Sequence, residues 1–324
     1  MEKKTGKAQN STGGFRDLLG VLGAFVLIFV VLSILPQTSS KFLAPNNLFN
    51  ISRQITVNII LACGLTMAIL IGGIDLSVGS IIAISGCLTA YLMTELSLPV
   101  VVAILVGILS GLVFGTFNGV VISSTNIPPF IVTLATMDMG RGIVRLFTGT
   151  DTILINNKIF SFLGKGRIFG TVPVQVVYIL LFCFIAWYIL NRTVFGRHIY
   201  AIGDNEVAAV YTGINVRKTK CCVYILVGLF AAVAGVLTAA RTASGLYTAG
   251  EGYEMDAISA VVLGGTSMTG GVGRISGSII GAMIIGILSN GMNLMGFNAS
   301  WQYVVKGAVL LLAVLIDYFK KKAD

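Results

Sequence analysis

Ten apolar blocks, most of them about 17 to 25 residues long, leave this sequence few folds to choose from. A helix of about 20 residues covers the roughly 30 Å of hydrocarbon in a bilayer, and only helices or closed barrels satisfy their own backbone there. The blocks lie at 18–35, 51–72, 76–93, 98–122, 128–147, 173–190, 221–240, 255–268, 275–294 and 301–318. They predict an all-α fold, a polytopic transmembrane helical bundle of about ten spans. Residues 18–318 form one membrane domain, with tails at 1–17 and 319–324. Two places depart from the pattern. The block at 255–268 is short for a full crossing, and 71–80 is rich in glycine, so both are candidates for broken or re-entrant helices.

The basic residues orient the bundle, because Lys and Arg near span ends stay on the cytoplasmic side. With the amino terminus inside, 13 of the 22 basic residues are cytoplasmic, among them Lys3, Lys4, Lys7, Arg16, Arg192, Arg197, Arg217, Lys218, Lys220, Arg274 and Lys320 to Lys322. Both termini are therefore expected in the cytoplasm. The positive-inside bias and contact with anionic lipid account for the net charge of +9 without nucleic acid. The first block follows a basic tail as a signal peptide would, but it is longer than a typical apolar signal core and no small-residue cleavage site follows it, so it reads as a retained span.

Gly107, Gly111, Gly115 and Gly119 recur every fourth residue in the fourth block, one face of one helix. In lipid such a stripe favours close van der Waals approach of a neighbouring helix. Gly273, Gly277 and Gly281 repeat the device. The five cysteines (Cys63, Cys87, Cys183, Cys221, Cys222) lie in or beside apolar blocks and read as small core residues.

Several chemistries are absent. No GxxxxGK[ST] loop occurs, so no phosphate cradle for ATP is expected. A single histidine, His198, stands among basic residues, so neither a nucleophile–base pair nor a metal site is expected; catalytic residues, bound metal and bound cofactor are all read as none. Ionisable groups at membrane depth are few: Asp138 with Arg141 three residues on and Arg145 beyond, the cluster of Glu251, Glu254 and Asp256, and Lys306. Asp138 and Arg141 have the spacing of a local helix pair. An interior this neutral suits gating by an external energy source, although an ion-coupled carrier remains an alternative.

Polar residues inside the blocks include Asn58, Thr66, Asn118, Thr133, Thr136, Asn290, Asn293 and Gln302, each readable as an interhelical hydrogen bond or as a solute contact. In IGGIDLSVGS (71–80) the glycines suggest a backbone break, with Asp75 or Ser77 capping the next helix; the alternative is that they line a transport pathway. Asp75, Ser77, Asn290 and Asn293 are the pathway candidates. A second Gly-rich passage at 263–280 resembles the first, as a degenerate duplication would.

One polar island, 191–220, interrupts the apolar blocks and is placed in the cytoplasm by its charges. Asp204 or Asn205 is positioned to cap a short helix, Glu206 lies in its positive first turn, Ala208 to Tyr211 continue it and Gly213 stops it. Two short helices with a glycine hinge would present a docking knob across the membrane face.

The island resembles the coupling loop of permease subunits of bacterial ABC sugar importers. The likeness extends along nearly the whole chain: GGIDLSVGS at 72–80, GDNEVAAVYTGINV at 203–216, TAGEGYEMDAISAVVLGGTS at 248–267 and GGVGR at 270–274, in that order. It implies a permease for a monosaccharide, ribose foremost, in the bacterial cell (inner) membrane. It also implies three partners: a second copy of the chain, a cytoplasmic ATPase that holds ATP and Mg, and an extracytoplasmic sugar-binding protein. Gly196, Gly203, Asp204, Asn205, Glu206, Ala208 and Gly213 are the coupling residues so implied. Glu206 takes the acidic position of the family's EAA loop, Ala208 a small position and Gly213 the turn glycine, while Val207 stands where the first alanine would be.

Overall fold

The computed structural model describes the backbone of residues 13–323. The first twelve residues, with Lys3, Lys4 and Lys7, and the side chains of Arg16 and Lys320 to Lys322 lie outside what is described. Fourteen helices occur among the described residues, and each of the ten apolar blocks holds one. They are α1 (Gly13–Ile34), α3 (Pro45–Leu70), α4 (Val78–Thr94), α5 (Val100–Ser124), α6 (Pro129–Thr148), α8 (Val174–Arg192), α11 (Val216–Thr242), α12 (Tyr253–Leu263), α13 (Ile275–Leu294) and α14 (Ala299–Ala323). Four short helices lie between them: α2 (Ser39–Phe42), α7 (Lys158–Lys165), α9 (Val194–Asp204) and α10 (Glu206–Tyr211). Five helices, α3, α5, α8, α11 and α13, are long and apolar enough to cross a membrane unaided.

The bundle is built around α3. Its apolar window is 89% buried, against 22% for α5, so α3 is central and α5 peripheral. In lipid an all-apolar circumference suits either place, so it is neighbours on every side that set α3 in the interior. α3 is sheathed by α11, α13, α8 and α12. The glycine stripe of α5 does what its spacing predicts: Gly111 and Gly115 lie against Gly228 of α11, and Gly119 against Cys221. Leu105, Leu109, Val113 and Phe117 point outward on the other side. In the second stripe, Gly277 and Gly281 pack on the backbone of Gly264 and Ala260, whereas Gly273 precedes α13 and abuts Thr266. All five cysteines are free thiols, Cys63 and Cys87 fully buried.

Both suspected breaks are real discontinuities. Residues 71–77 are non-helical between α3 and α4 and mostly buried. The other break is wider than expected. After α11 the chain forms a two-residue strand, Ser244–Gly245, paired antiparallel with Ile153–Leu154. It then descends beside α4, with Gly245 against Cys87 and Ala90, and Gly250 against Gly79 and Ile82. Only then does α12 begin, with 11 residues, or about 16 Å at 1.5 Å per residue. Irregular backbone at membrane depth is tolerated when protein buries it. Here Arg141 of α6 supplies the missing donors, its guanidinium donating to the carbonyls of Ala249 (2.7 Å) and Tyr247 (3.4 Å). Arg141 therefore does not pair with Asp138, as its spacing suggested.

The described segment between α6 and α8 was not legible as blocks. It holds the amphipathic α7, capped by Asn157, and a small hairpin of Arg167–Ile168 with Val172–Pro173. Gly164 of α7 rests on the backbone of Ala240 and Arg241 at the end of α11.

Candidate functional site: the island and the helix breaks

The polar island folds into α9 and α10, with its edges taken up by the ends of α8 and α11. Each start is capped by a side chain: Thr193 accepts from the amide of Gly196 (3.1 Å), Asn205 from Ala208 (2.9 Å) and Asn215 from Lys218 (2.9 Å). Of the two candidate caps for α10, Asn205 is the one used, and Asp204 is the last residue of α9. The far end of α10 closes as a Schellman motif. Ile214 N–H donates to Ala209 O (3.1 Å) and Gly213 N–H to Val210 O (3.0 Å), with Gly213 at φ 83°, a conformation that favours glycine.

Two other glycines are required by close approach. Gly196 lies on the carbonyls of Ile189 and Leu190, which lets α9 fold back from α8. Gly203 lies on the Leu70 carbonyl and the Gly271 amide, and Gly271 N–H itself donates to Leu70 O at 2.9 Å. Nearby, the Tyr200 hydroxyl donates to Gly273 O (2.9 Å), and burial pushes that phenol above its ordinary range. The island thus sits directly on the break at the end of α3 and on the 264–274 turn between α12 and α13. The two Gly-rich passages that resembled one another in sequence also meet here, with Gly72 against Thr269 and Gly270 against Leu70 and Gly72.

The opposite side of α10 is uncovered. Val207 is 65% exposed, Val210 56% and Tyr211 87%, and Asp204, Asn205, Glu206 and Ala208 are exposed as well. Glu206 is not free: both its oxygens accept from Lys220 Nζ, at 2.7 and 2.8 Å. Beside this knob a polar hollow of about 420 Å³ opens between the α5–α6 turn and Glu206, Arg217 and Lys220.

The four pathway candidates fall into separate places. Asp75 and Ser77 are fully buried in the first break. Asp75 Oδ1 accepts from the Ser77 amide (2.9 Å) and hydroxyl (2.6 Å), and Ser77 Oγ accepts from Asn118 Nδ2 (2.9 Å). Neither side chain caps an amide inside α4; Asp75 closes a turn one residue before it. Asn290 instead forms a two-way amide clasp with Asn47 of α3, at 2.9 and 3.0 Å. Asn293 is exposed and accepts from Gln302 Nε2 (2.7 Å). Sequence reasoning missed the roles of Leu70, Gly271 and Asn47, which carry no signal beyond their residue types.

Known proteins resemble the chain over most of its length. The family described as branched-chain amino acid transport system / permease component matches residues 47–314. The chain belongs to this permease family. The ribose import permease protein RbsC of Bacillus subtilis is 45% identical over 305 residues, 94% of each chain. The protein of that name in Escherichia coli is 43% identical, covering 92% of this chain and 94% of its own. The D-allose transport system permease protein AlsC of Escherichia coli is 36% identical over 91% and 90% of the two chains. No solved structure matches. As a member of this family, the permease is a multi-pass protein of the cell (inner) membrane and a transport component, not itself an enzyme.

Proposed function

We propose that this permease forms the membrane path of an ATP-driven importer for a monosaccharide, D-ribose. The reading rests on α9 and α10, which make a capped, rigid knob with an apolar uncovered face, on a chain whose full-length relatives include ribose import permeases. The island then faces the cytoplasm, together with both termini of a ten-span domain over 18–318. An ATPase that holds ATP and Mg docks on Val207, Val210 and Tyr211. An extracytoplasmic binding protein delivers the sugar at the opposite end.

Gly203, Asp204 and the caps Asn205 and Gly213 transmit the ATPase's motion as a rigid peg, because α9 rests on the backbone of the first break and of the 264–274 turn. Breaks are where a helical bundle bends most easily, since no continuous ladder of hydrogen bonds crosses them. Asp75 and Ser77 hold the first break together, and Asn290 and Asn293 brace the opposite end.

A second copy covers α6. Asp138 and Arg145 are exposed on that helix and have no ion pair among the described residues. Asp138 lies nine residues, or about 14 Å, into the helix, where ionisable groups face protein or water and not lipid.

Uptake of labelled D-ribose by cells lacking their own ribose permease, and supplied with this chain, its ATPase and its binding protein, tests the reading. Uptake is expected to require ATP hydrolysis. Uptake driven by an ion gradient in vesicles without the ATPase would replace this reading with a secondary carrier, and competition by D-allose or D-xylose would reassign the sugar.

A further inference from the structure

We propose that the cleft between α12 and α14 is a binding site for a neutral monosaccharide inside the permease, a stopping point on the path. The inference rests on the sugar-importer reading above and adds a location to it.

The cleft has a volume of about 250 Å³ and is lined by Tyr253, Asp256 and Ser259 from one side and Gln302, Tyr303 and Lys306 from the other. It begins where the turns over 247–252 end and α12 starts. Lys306 lies seven residues into α14, so the cleft reaches about 10 Å down that helix. Its floor is an ion pair, Lys306 Nζ to Asp256 Oδ2 at 2.7 Å, with Asp256 only 6% exposed. The pair makes the floor electrically neutral while leaving Asp256 Oδ1 and further Nζ protons as acceptor and donors. Ser259 adds a hydroxyl. Gln302 is held over the cleft by its bonds to Asn293 Oδ1 (2.7 Å) and Phe297 O (3.4 Å).

Two aromatic rings complete the set. Tyr303 is 60% exposed with its ring against Gly252, and Tyr253 lines the same cleft. Convergent donors and acceptors beside aromatic faces, in a small concave site, are what a polyhydroxyl solute requires. A phosphorylated sugar meets Glu251 at the rim, whose charge opposes it. The volume is below the range typical of drug-sized ligands and suits one sugar ring, not two.

The test uses the reconstituted permease–ATPase complex with Met255→Cys, at a cleft-lining position that is 47% exposed, the native thiols serving as the control in the unmodified chain. A membrane-impermeant thiol reagent is expected to label the new cysteine. D-ribose is expected to slow that labelling several-fold, and sucrose at equal osmolarity to leave it unchanged. Adding Tyr303→Ala or Gln302→Ala should raise the D-ribose concentration for half-protection at least tenfold without changing thermal stability. Absence of labelling, as when a second copy covers the cleft, overturns the proposal, and so does labelling that D-ribose does not slow. D-ribose uptake by the unmodified complex, measured in parallel, separates the two readings: uptake without protection removes the cleft site alone, and no sugar uptake removes the importer.

Discussion

Gly203 is the position at which a single methyl group should separate ATP hydrolysis from transport. Any Cβ there collides with the Leu70 carbonyl and the Gly271 amide, both backbone atoms that no rotamer change can move. Relief requires α9 to lift from the helix breaks. Overpacking of this kind costs about 1–3 kcal/mol, and losing the 2.9 Å bond from Gly271 to Leu70 adds about 1 kcal/mol. The seated arrangement therefore weakens by about 2–4 kcal/mol, roughly 30- to 700-fold in its population at 1.4 kcal/mol per decade. Gly203→Ala should still bind the ATPase, because the α10 face does not include it. The assay is sugar taken up per ATP hydrolysed in proteoliposomes, beside ATPase co-purification. The expected result is retained hydrolysis with uptake reduced at least tenfold. Gly213→Ala is the comparison: it meets open space, and its left-handed backbone costs a non-glycine about 1–2 kcal/mol, so its effect should be smaller and confined to the end of α10. Normal coupling in Gly203→Ala would refute the transmission argument.

Three further outcomes are expected. Tyr211→Ala and Val207→Ser should each weaken ATPase binding about tenfold or more, as truncated interface anchors do, without shifting the permease's melting temperature; unchanged binding in the double variant would move the docking surface elsewhere. Glu206→Gln should alter stability by less than about 1 kcal/mol, since Glu206 is itself 51% exposed, whereas Glu206→Lys sets two ammonium groups together and should loosen α10, read by proteolysis of the island. Asn290→Leu leaves the Asn47 side chain only its bond to Phe42 O (2.9 Å), strands its carbonyl oxygen and should destabilise by about 1–3 kcal/mol; adding Asn47→Leu should recover part of the loss in thermal unfolding, and no recovery would show that the clasp is not the cause.

How far the sequence foretold this arrangement depended on whether a feature was periodic or paired. Apolar blocks and the four-residue glycine spacing of α5 follow from local geometry, and each found its helix or its neighbour. Caps were nearly as legible: Asn205, Glu206 and Gly213 occupy the start, first turn and stop of α10. Pairing was not. Asp138 and Arg141 have helix spacing, yet the guanidinium turns to Tyr247 and Ala249 because the carbonyls of an irregular, partly buried segment need donors more than an exposed carboxylate does. Asn290 reads equally well as a solute contact or a helix clasp until Asn47 is placed opposite it. The block at 255–268 looked like a short span; its helix α12 has only 11 residues and is preceded by a run of turns over 247–252, small and polar residues that no apolar pattern marks.

In the proposed mechanism, the same economy of small residues explains the seat of the island. A knob mounted on a continuous helix would move that helix as a whole against the central α3, whose burial resists displacement from every side. Mounted at Leu70 and Gly271, it meets α3 at its last turn and the 264–274 segment where no helix exists. Displacing α9 then acts on α4 through Asp75 and Ser77 and on α13 through the turn that begins it, while the core of α3 stays packed. Glycine at 72, 203, 270 and 271 is what brings the backbones this close. Side chains at those positions would widen the junction and interpose soft, rotatable atoms between the input surface and the helices it has to move.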